Sequence, residues 1–247
     1  DLHNSEHSFP TRRSSDLHAD FVPQDLPQGG KDEIGHLMRL FQAMAMHIWA
    51  SRNELEARVA ERTAALEQSE QRLRHMAQHD PLTGLANRAL FTDRLQQALA
   101  AAHRDHTQVA LLFLDLDNFK PVNDQYGHAM GDELLKVAAS RMQGCLRDSD
   151  TVARIGGDEF VLLLRSLGAP ASHTALAVAE KIRAALSQPF ELAGHALQIS
   201  CSIGVALYPD HALDDIALAH HADQAMYQAK LAGRNRVVLC ESPVQDA

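Results

Sequence analysis

The sequence predicts an α/β or α+β domain, a sheet with helices packed on it, preceded by a long coiled-coil helix. Three observations carry that reading. Short apolar runs of strand length alternate with amphipathic stretches of helical period through the C-terminal part of the chain. Two of those runs flank the pair Gly156-Gly157, the punctuation of a β-hairpin. Between Asp32 and Gln78, in contrast, apolar residues recur in steps of three and four, with no Pro and no Gly after Gly35.

The first residues stand apart from this pattern. Ser8 to Leu17, reading SFPTRRSSDL, has no apolar periodicity and resembles the in-frame translation of a common sequencing-library adapter, so residues 1–17 are expected to be a non-native leader. The helical pattern begins at Asp32. Ile34, Leu37, Phe41, Met44 and Ile48 form one apolar seam. Leu55, Val59, Arg62, Leu66, Ser69, Leu73 and Met76 form a second ladder with the heptad signature of a helix that pairs with another. Carried forward in sevens, the first ladder reaches Leu55 as an a position, while the second uses it as d. That four-residue step is a stutter, which locally unwinds a coiled coil. About 47 residues of helix would be ~70 Å long, more than a small domain can cover, so a parallel two-stranded stalk is expected. Asp32-Glu33-Ile34-Gly35 followed by Leu37, Leu40, Phe41 and Met44 resembles the second helix of a HAMP signalling module, with Phe21 to Pro27 as part of its connector. The resemblance assigns residues 18–50 to a partial HAMP-like module and 51–78 to a coiled-coil signalling helix. It implies a full-length protein anchored in the inner membrane by a segment upstream, with the domain that follows the stalk in the cytoplasm.

From residue 79 the pattern changes. His79 to Arg88 combines Pro81 and Gly84 with Asn87 ahead of a new amphipathic run, Ala89 to Ala102, so one helix stops and another starts. Val109 to Leu114 is a strand that ends at Asp115-Leu-Asp117, and Gly131 to Leu146 reads as a helix. Thr151–Arg154 and Glu159–Leu164 are the hairpin strands around Ile155-Gly-Gly-Asp158. Ala175 to Leu186 is helical, Leu197 to Leu207 alternates as a strand, Leu218 to Leu231 is helical, and Arg236 to Leu239 closes as a strand.

Composition limits the function. The 247 residues allow one or two domains, and 45% hydrophobic with 22% charged residues is globular. Lys and Arg total 23 against 32 Asp and Glu, a net charge of −9, which lacks the basic footprint of a duplex-binding protein. No nucleic-acid polymer is expected as partner, and an anionic ligand would need local cations. Cys145, Cys201 and Cys240 show no metal-ligand spacing and fit a reducing compartment. No apolar run approaches the ~18 residues of a membrane span. The fifteen histidines are scattered, apart from His220-His221, and read as surface residues rather than a zinc site.

The chemistry concentrates at two strand ends. Asp115 ends one strand, and Asp158 with Glu159 sits at the hairpin tip; if the strands are neighbours, three carboxylates converge. Such a cluster repels itself unless a hard divalent cation intervenes, and Mg²⁺ takes one or two carboxylates together with water and substrate phosphates. Gly156 and Gly157, lacking Cβ atoms, let backbone and ligand approach. Carboxylates in a sheet that face a triphosphate suit nucleotidyl transfer.

Gly156-Gly-Asp-Glu-Phe160 is the name-giving string of the GGDEF family, and His79 to Arg236 is similar to diguanylate cyclases. The supporting strings are Asp80 to Arg88 (DPLTGLANR), Leu114 to Lys120 (LDLDNFK), Asn123 to His128 (NDQYGH), Gly131-Asp132, Arg154 to Phe160 (RIGGDEF), Ser202-Ile-Gly-Val205, Ala222 to Lys230 (ADQAMYQAK) and Gly233-Arg-Asn-Arg236. The resemblance assigns residues 79–242 to the catalytic domain and 243–247 to a tail. It implies a palm-like fold with a mostly antiparallel central sheet flanked by helices. It also implies a homodimer in which one GTP per subunit is condensed to cyclic di-GMP with loss of two pyrophosphates. Asp115, the Leu116 carbonyl and Asp158 would hold Mg²⁺ (or Mn²⁺), two ions per active site, with Glu159 adjacent. Asp158 and Glu159 match the catalytic positions, although a metal-bound carboxylate is a weak base. Asn123 and Asp132 match positions that read the guanine edge, His128 and the two glycines match substrate contacts, and Lys120, Lys230 and Arg234 match phosphate contacts.

Arg147-Asp-Ser-Asp150 has the R-x-x-D form, with five residues between Asp150 and Gly156, and resembles the family's product-inhibition site. Lys181 or Arg183 would complete it. The alternative is a catalytically silent module that binds cyclic di-GMP and signals through protein contacts. Loss of Asp158, Glu159 or a glycine would have pointed there, and all are present.

Overall fold

A computed structural model describes residues 32–168 and 170–241 of the chain. The expected leader, the HAMP-like connector and the tail at 243–247 lie outside the described residues. Two compact units divide the chain, Asp1–Gln71 and Arg72–Ala247.

The first helix, α1 (Glu33–Gln78), runs without interruption for 46 residues, as the two ladders predict. Its seam residues Ile34, Leu37, Phe41, Met44, Ile48, Leu55, Val59, Leu66, Leu73 and Met76 are all between 54% and 71% exposed. Arg52–Glu56 and Glu54–Arg58 ion pairs at i,i+4, 3.0 and 2.6 Å, decorate the intervening face. No described helix is long and apolar enough to cross a membrane.

In the second unit, α2 (Arg88–Asp105) leads into β1 (Gln108–Asp117), followed by α3 (Phe119–Tyr126) and α4 (His128–Gln143). Next come the hairpin β2 (Thr151–Gly156) and β3 (Glu159–Leu167), α5 (Ala171–Leu186), the small hairpin β4 (Phe190–Leu192) and β5 (His195–Leu197), β6 (Ser200–Tyr208), α6 (Asp215–Leu231) and β7 (Arg236–Leu239). The five-stranded sheet has the order β2-β3-β1-β6-β7, antiparallel throughout except for the β6–β7 pair. The sequence elements are all present; α3 and the β4–β5 hairpin were not anticipated, and α4 starts at His128 and ends at Gln143 rather than running to Leu146.

Both sheet faces are covered, and the parity of β1 explains how. Ala110, Leu112, Leu114 and Leu116 share a core with α3, α4 and α5, while Val109 and Leu111 share the opposite one with α2 and α6. Asp115 and Asp117 have the parity of the α2 and α6 side. They occupy the end of the strand beyond the apolar rows, so the carboxylates emerge at the rim of a buried sheet. The two helices on the Val109–Leu111 face, α2 and α6, are each started by a side-chain cap. Asn87 accepts from the Leu90 amide at 3.0 Å to cap α2, and Asp214 accepts from the Ala217 amide at 2.8 Å to cap α6.

Gly204 in β6 sets the closest approach. A Cβ there would overlap the Ala222 carbonyl oxygen and the Met226 amide nitrogen, so α6 lies backbone against backbone on the sheet.

Candidate active site

The rim of the sheet is assembled by register. β1 and β3 pair so that Asp115 faces Glu159, and the Leu116 amide donates to the Asp158 carbonyl at 3.2 Å. The Gly-Gly turn, with Gly157 at φ +51°, brings Asp158 back beside β1. After Asp117, Asn118 adopts a left-handed φ of 61° and turns the chain into α3, which starts Phe119 and Lys120 at the same rim. Asp115, Leu116, Lys120, Asp158, Lys230 and Arg234 line one cavity of about 200 Å³.

Carboxylates and cations line it together, Asp115, Asp117 and Asp158 with Lys120, Lys230 and Arg234. Lys230 Nζ stands 2.7 Å from Asp115 Oδ2. Burial pushes the Asp115 carboxyl up; the Lys230 ammonium opposes this, while the charges of Asp158 and Asp117 add to it, and the net shift is upward. A carboxylate so placed favours a second positive charge. Among the described residues no three His, Cys, Asp or Glu side chains stand close enough to enclose a metal. The convergence of three carboxylates expected from sequence is therefore not formed: Asp158 joins Asp115 in the cavity, and Glu159, across the ladder from Asp115, does not line it. Two carboxylates and a carbonyl still fit Mg²⁺, which relies on substrate phosphates for other ligands.

Other expected site residues lie apart from this cavity. Asn123 is on α3, and its Oδ1 is buried with no hydrogen-bond partner among the described residues. Gly131 abuts it, since a Cβ there would overlap that oxygen. His128 and Asp132, in the first turns of α4, are exposed. Gly156 and Gly157 line a larger cleft of about 980 Å³ on the α2 side, together with Asp80, Arg88 and Arg154.

That cleft holds a network that the sequence did not announce. Arg154 grips both oxygens of Asp80 at 3.2 Å and donates through Nε to the Gly157 carbonyl at 2.9 Å. Burial raises the Asp80 carboxyl, but hydrogen bonds from Thr83 Oγ1 and amide and from Arg154 outweigh it, and the net shift is downward. The hairpin tip is thus tied to the Asp80–Gly84 turn. That turn is joined to the end of α1 by the Asn87 amide, which donates to the Gln78 carbonyl at 2.9 Å.

Arg147 and Asp150 line a third cavity of about 250 Å³, with Arg94. The Asp150 carboxylate accepts from the Arg147 and Arg165 amides at 3.2 and 3.4 Å, so it organises the turn. Lys181 donates to the Cys145 carbonyl at 3.1 Å, two residues before Arg147. Arg183 points elsewhere, to Glu180 and to Asn235 at 2.8 Å, so of the two candidates only Lys181 stands by this loop.

Comparison with known proteins decides the family. The family model described as diguanylate cyclase, GGDEF domain, matches residues 77–236. The chain belongs to the GGDEF family. It is 43% identical over 217 residues to the diguanylate cyclase TpbB of Pseudomonas aeruginosa, covering 87% of this chain and 47% of TpbB. It is 45% identical over 200 residues to the bifunctional diguanylate cyclase/cyclic di-GMP phosphodiesterase MucR of the same organism, covering 81% of this chain and 29% of MucR. The chain thus spans less than half the length of these curated relatives. Among solved structures, the GGDEF domain of TpbB matches with a TM-score of 0.64 and 48% identity, over 66% of this chain and 94% of that one. The coiled coil and GGDEF domain of DgcB from Caulobacter crescentus, in complex with c-di-GMP, matches with a TM-score of 0.65 and 34% identity, over 75% of this chain and 98% of that one. The GGDEF fold, with a mixed central sheet and a long helix ahead of it, is therefore the fold of this chain.

Proposed function

We propose that this chain is a diguanylate cyclase: it condenses two GTP into cyclic di-GMP and releases two pyrophosphates. The observation that carries the reading is the rim cavity, where the Asp158 of the GGDEF hairpin meets Asp115 and two cations, Lys230 and Arg234. Asp115, the Leu116 carbonyl and Asp158 would hold Mg²⁺ or Mn²⁺, two ions per site, with Glu159 adjacent. When bound, the metal lowers the pKa of the attacking 3′-hydroxyl and neutralises charge at the α-phosphate.

The chain's own residues bind and orient. Lys120, Lys230 and Arg234 neutralise the triphosphate and the departing pyrophosphate. Asn123 and Asp132 supply the amide and the carboxylate suited to a guanine edge, with His128 as a further contact. Gly156 and Gly157 let the ribose and α-phosphate approach the hairpin backbone. Each domain carries one GTP, so two domains must face each other, and the exposed α1 ladder supports a homodimer built as a parallel coiled coil. The α1 stretch up to residue 50, with the connector before it, is read as a HAMP-like relay to a membrane segment. Product held by Arg147, Asp150 and Lys181 would lower turnover.

The test is direct. Protein stripped of bound nucleotide is incubated with GTP and Mg²⁺ and the products are separated chromatographically. Cyclic di-GMP and pyrophosphate in a one-to-two ratio are expected; absence of cyclic di-GMP overturns the reading.

A further inference from the structure

The turn that carries Arg234 is an improbable piece of backbone. Arg234 and Asn235 both adopt left-handed φ values, 59° and 47°, directly after Gly233 at 109°. Two consecutive non-glycine residues in that region are costly unless their surroundings hold them. Their surroundings do. The Asn235 amide donates to Asp117 Oδ2 at 3.0 Å. The Asn235 side-chain oxygen accepts from Arg183, in the last turn of α5, at 2.8 Å and from Ser187 Oγ, at that helix's C-cap, at 3.1 Å.

Asp117 is the unusual partner. It is a carboxylate only 2% exposed, which needs full hydrogen bonding to be tolerated there. Ser200 and Ser202 on β6 donate to its two oxygens at 2.6 and 2.7 Å, and the Asn235 amide completes the set. Asp117 stands two residues beyond Asp115 on the same strand face, and the turn it grips follows Lys230 by a few residues. The Arg234 guanidinium makes no hydrogen bond or ion pair among the described residues, yet it lines the Asp115–Asp158 cavity.

We infer that Asp117, Asn235 and Arg183 form a clamp that holds the Gly233–Arg236 turn in its left-handed form, so that the Arg234 guanidinium is presented to the phosphates of the bound nucleotide. These three are positioning residues that act on substrate through Arg234, although Asp117 also borders the cavity. This rests on the reading of the rim cavity as the GTP site. It also gives Arg183 a role distinct from the product site, on the same helix that sends Lys181 toward Arg147.

The clamp is tested on its surface members, because Asp117 is too buried to be changed without risk to folding. Affinity for the α-thio analogue of GTP is measured by calorimetry with Mg²⁺, using the full chain stripped of nucleotide. Asn235→Gly keeps the amide and the backbone freedom but removes the side-chain oxygen. It should weaken binding about tenfold, and Arg183→Ala about fivefold, the scale of one charge-assisted hydrogen bond partly lost. Arg234→Ala should weaken it about tenfold or more. In the Arg234→Ala background, Asn235→Gly should then add less than about twofold, because the two changes remove the same contact. Thermal melting of the parent, the two single variants at 234 and 235 and their double variant should show Asn235→Gly lowering the midpoint equally in both backgrounds. If Asn235→Gly keeps its full factor without Arg234, the clamp is a general stabiliser and the inference fails while the GTP site stands. If Arg234→Ala alone binds like the parent, the cavity reading fails and takes the clamp with it.

Discussion

Helices α1 and α5 obey the same arithmetic and end in opposite states. The buried residues of α5, Ala171, Ala175, Ala179, Ile182 and Leu186, recur in steps of four and three and lie in the core under the sheet. The seam of α1 recurs in the same steps, but every seam residue is more than half exposed. Periodicity therefore states that a face needs covering, not what covers it. The residue types carry the rest: α5 offers three alanines, which let a helix lie close on a sheet, whereas α1 offers Leu, Ile, Met and Phe, large knobs suited to another helix.

The contrast can be broken at either helix, in order of the stability each change should cost the catalytic domain. Ile182→Asp places a carboxylate in a fully buried position and should cost more than about 4 kcal/mol. The cooperative thermal transition of the domain should disappear, and a variant that melts like the parent would show the α5 face to be dispensable. Asp80→Asn, at the turn that follows α1, should cost about 1–3 kcal/mol by loosening Arg154 and the hairpin tip. Its pH dependence has a definite sign. The Asp80 carboxyl is held below its ordinary value in the folded protein, so its contribution is present above about pH 4 and is lost as pH falls through the folded value. The deficit of the variant, read from urea midpoints, should shrink between pH 7 and pH 3; a deficit constant with pH would show that the ion pair is not its source.

Changes in the α1 seam should cost the domain almost nothing. Leu66→Asp should leave its melting within about 0.5 kcal/mol of the parent, as surface substitutions do. The same change should abolish dimers in sedimentation and lower GTP turnover by more than about tenfold, since a charge at a seam position of a coiled coil is desolvated on pairing. A dimer that persists would mean that α1 is covered by something other than a second copy. Four residues inserted after Leu55 shift the seam by a stutter. Dimers should persist while turnover changes, and unchanged turnover would show that register plays no part in control. Arg147→Ala should be silent in both stability and basal turnover. Its one effect should be resistance to added cyclic di-GMP, and inhibition equal to the parent's would remove Arg147 from the product site.

What the sequence disclosed follows the same division. The central strands β1, β3 and β6 were legible because burial on both sheet faces leaves apolar runs of strand length, and α5 because burial on one face leaves a helical period. The helix α3 was not: its eight residues contain Pro121 and bury only Phe119 and Val122. The three-residue strands β4 and β5 are too short to display alternation. At the site, Asp115, Asp158, Lys120, Lys230 and Arg234 were legible as motif positions and do share one cavity. The ties that hold that site were not legible. Asp80 and Arg154 lie 74 residues apart, and Asp117 and Asn235 lie 118 apart, and no local pattern records a partner at such distance.

The absent side chain of Gly204 reaches further than its own contacts. Lys230 lies one helical turn beyond Met226, where α6 touches the sheet backbone. The height of the helix above β6 therefore fixes where the ammonium that neutralises Asp115 comes to rest. A single methyl group at position 204 would act as a shim under α6, detuning the charge balance of the rim without altering any residue that lines it.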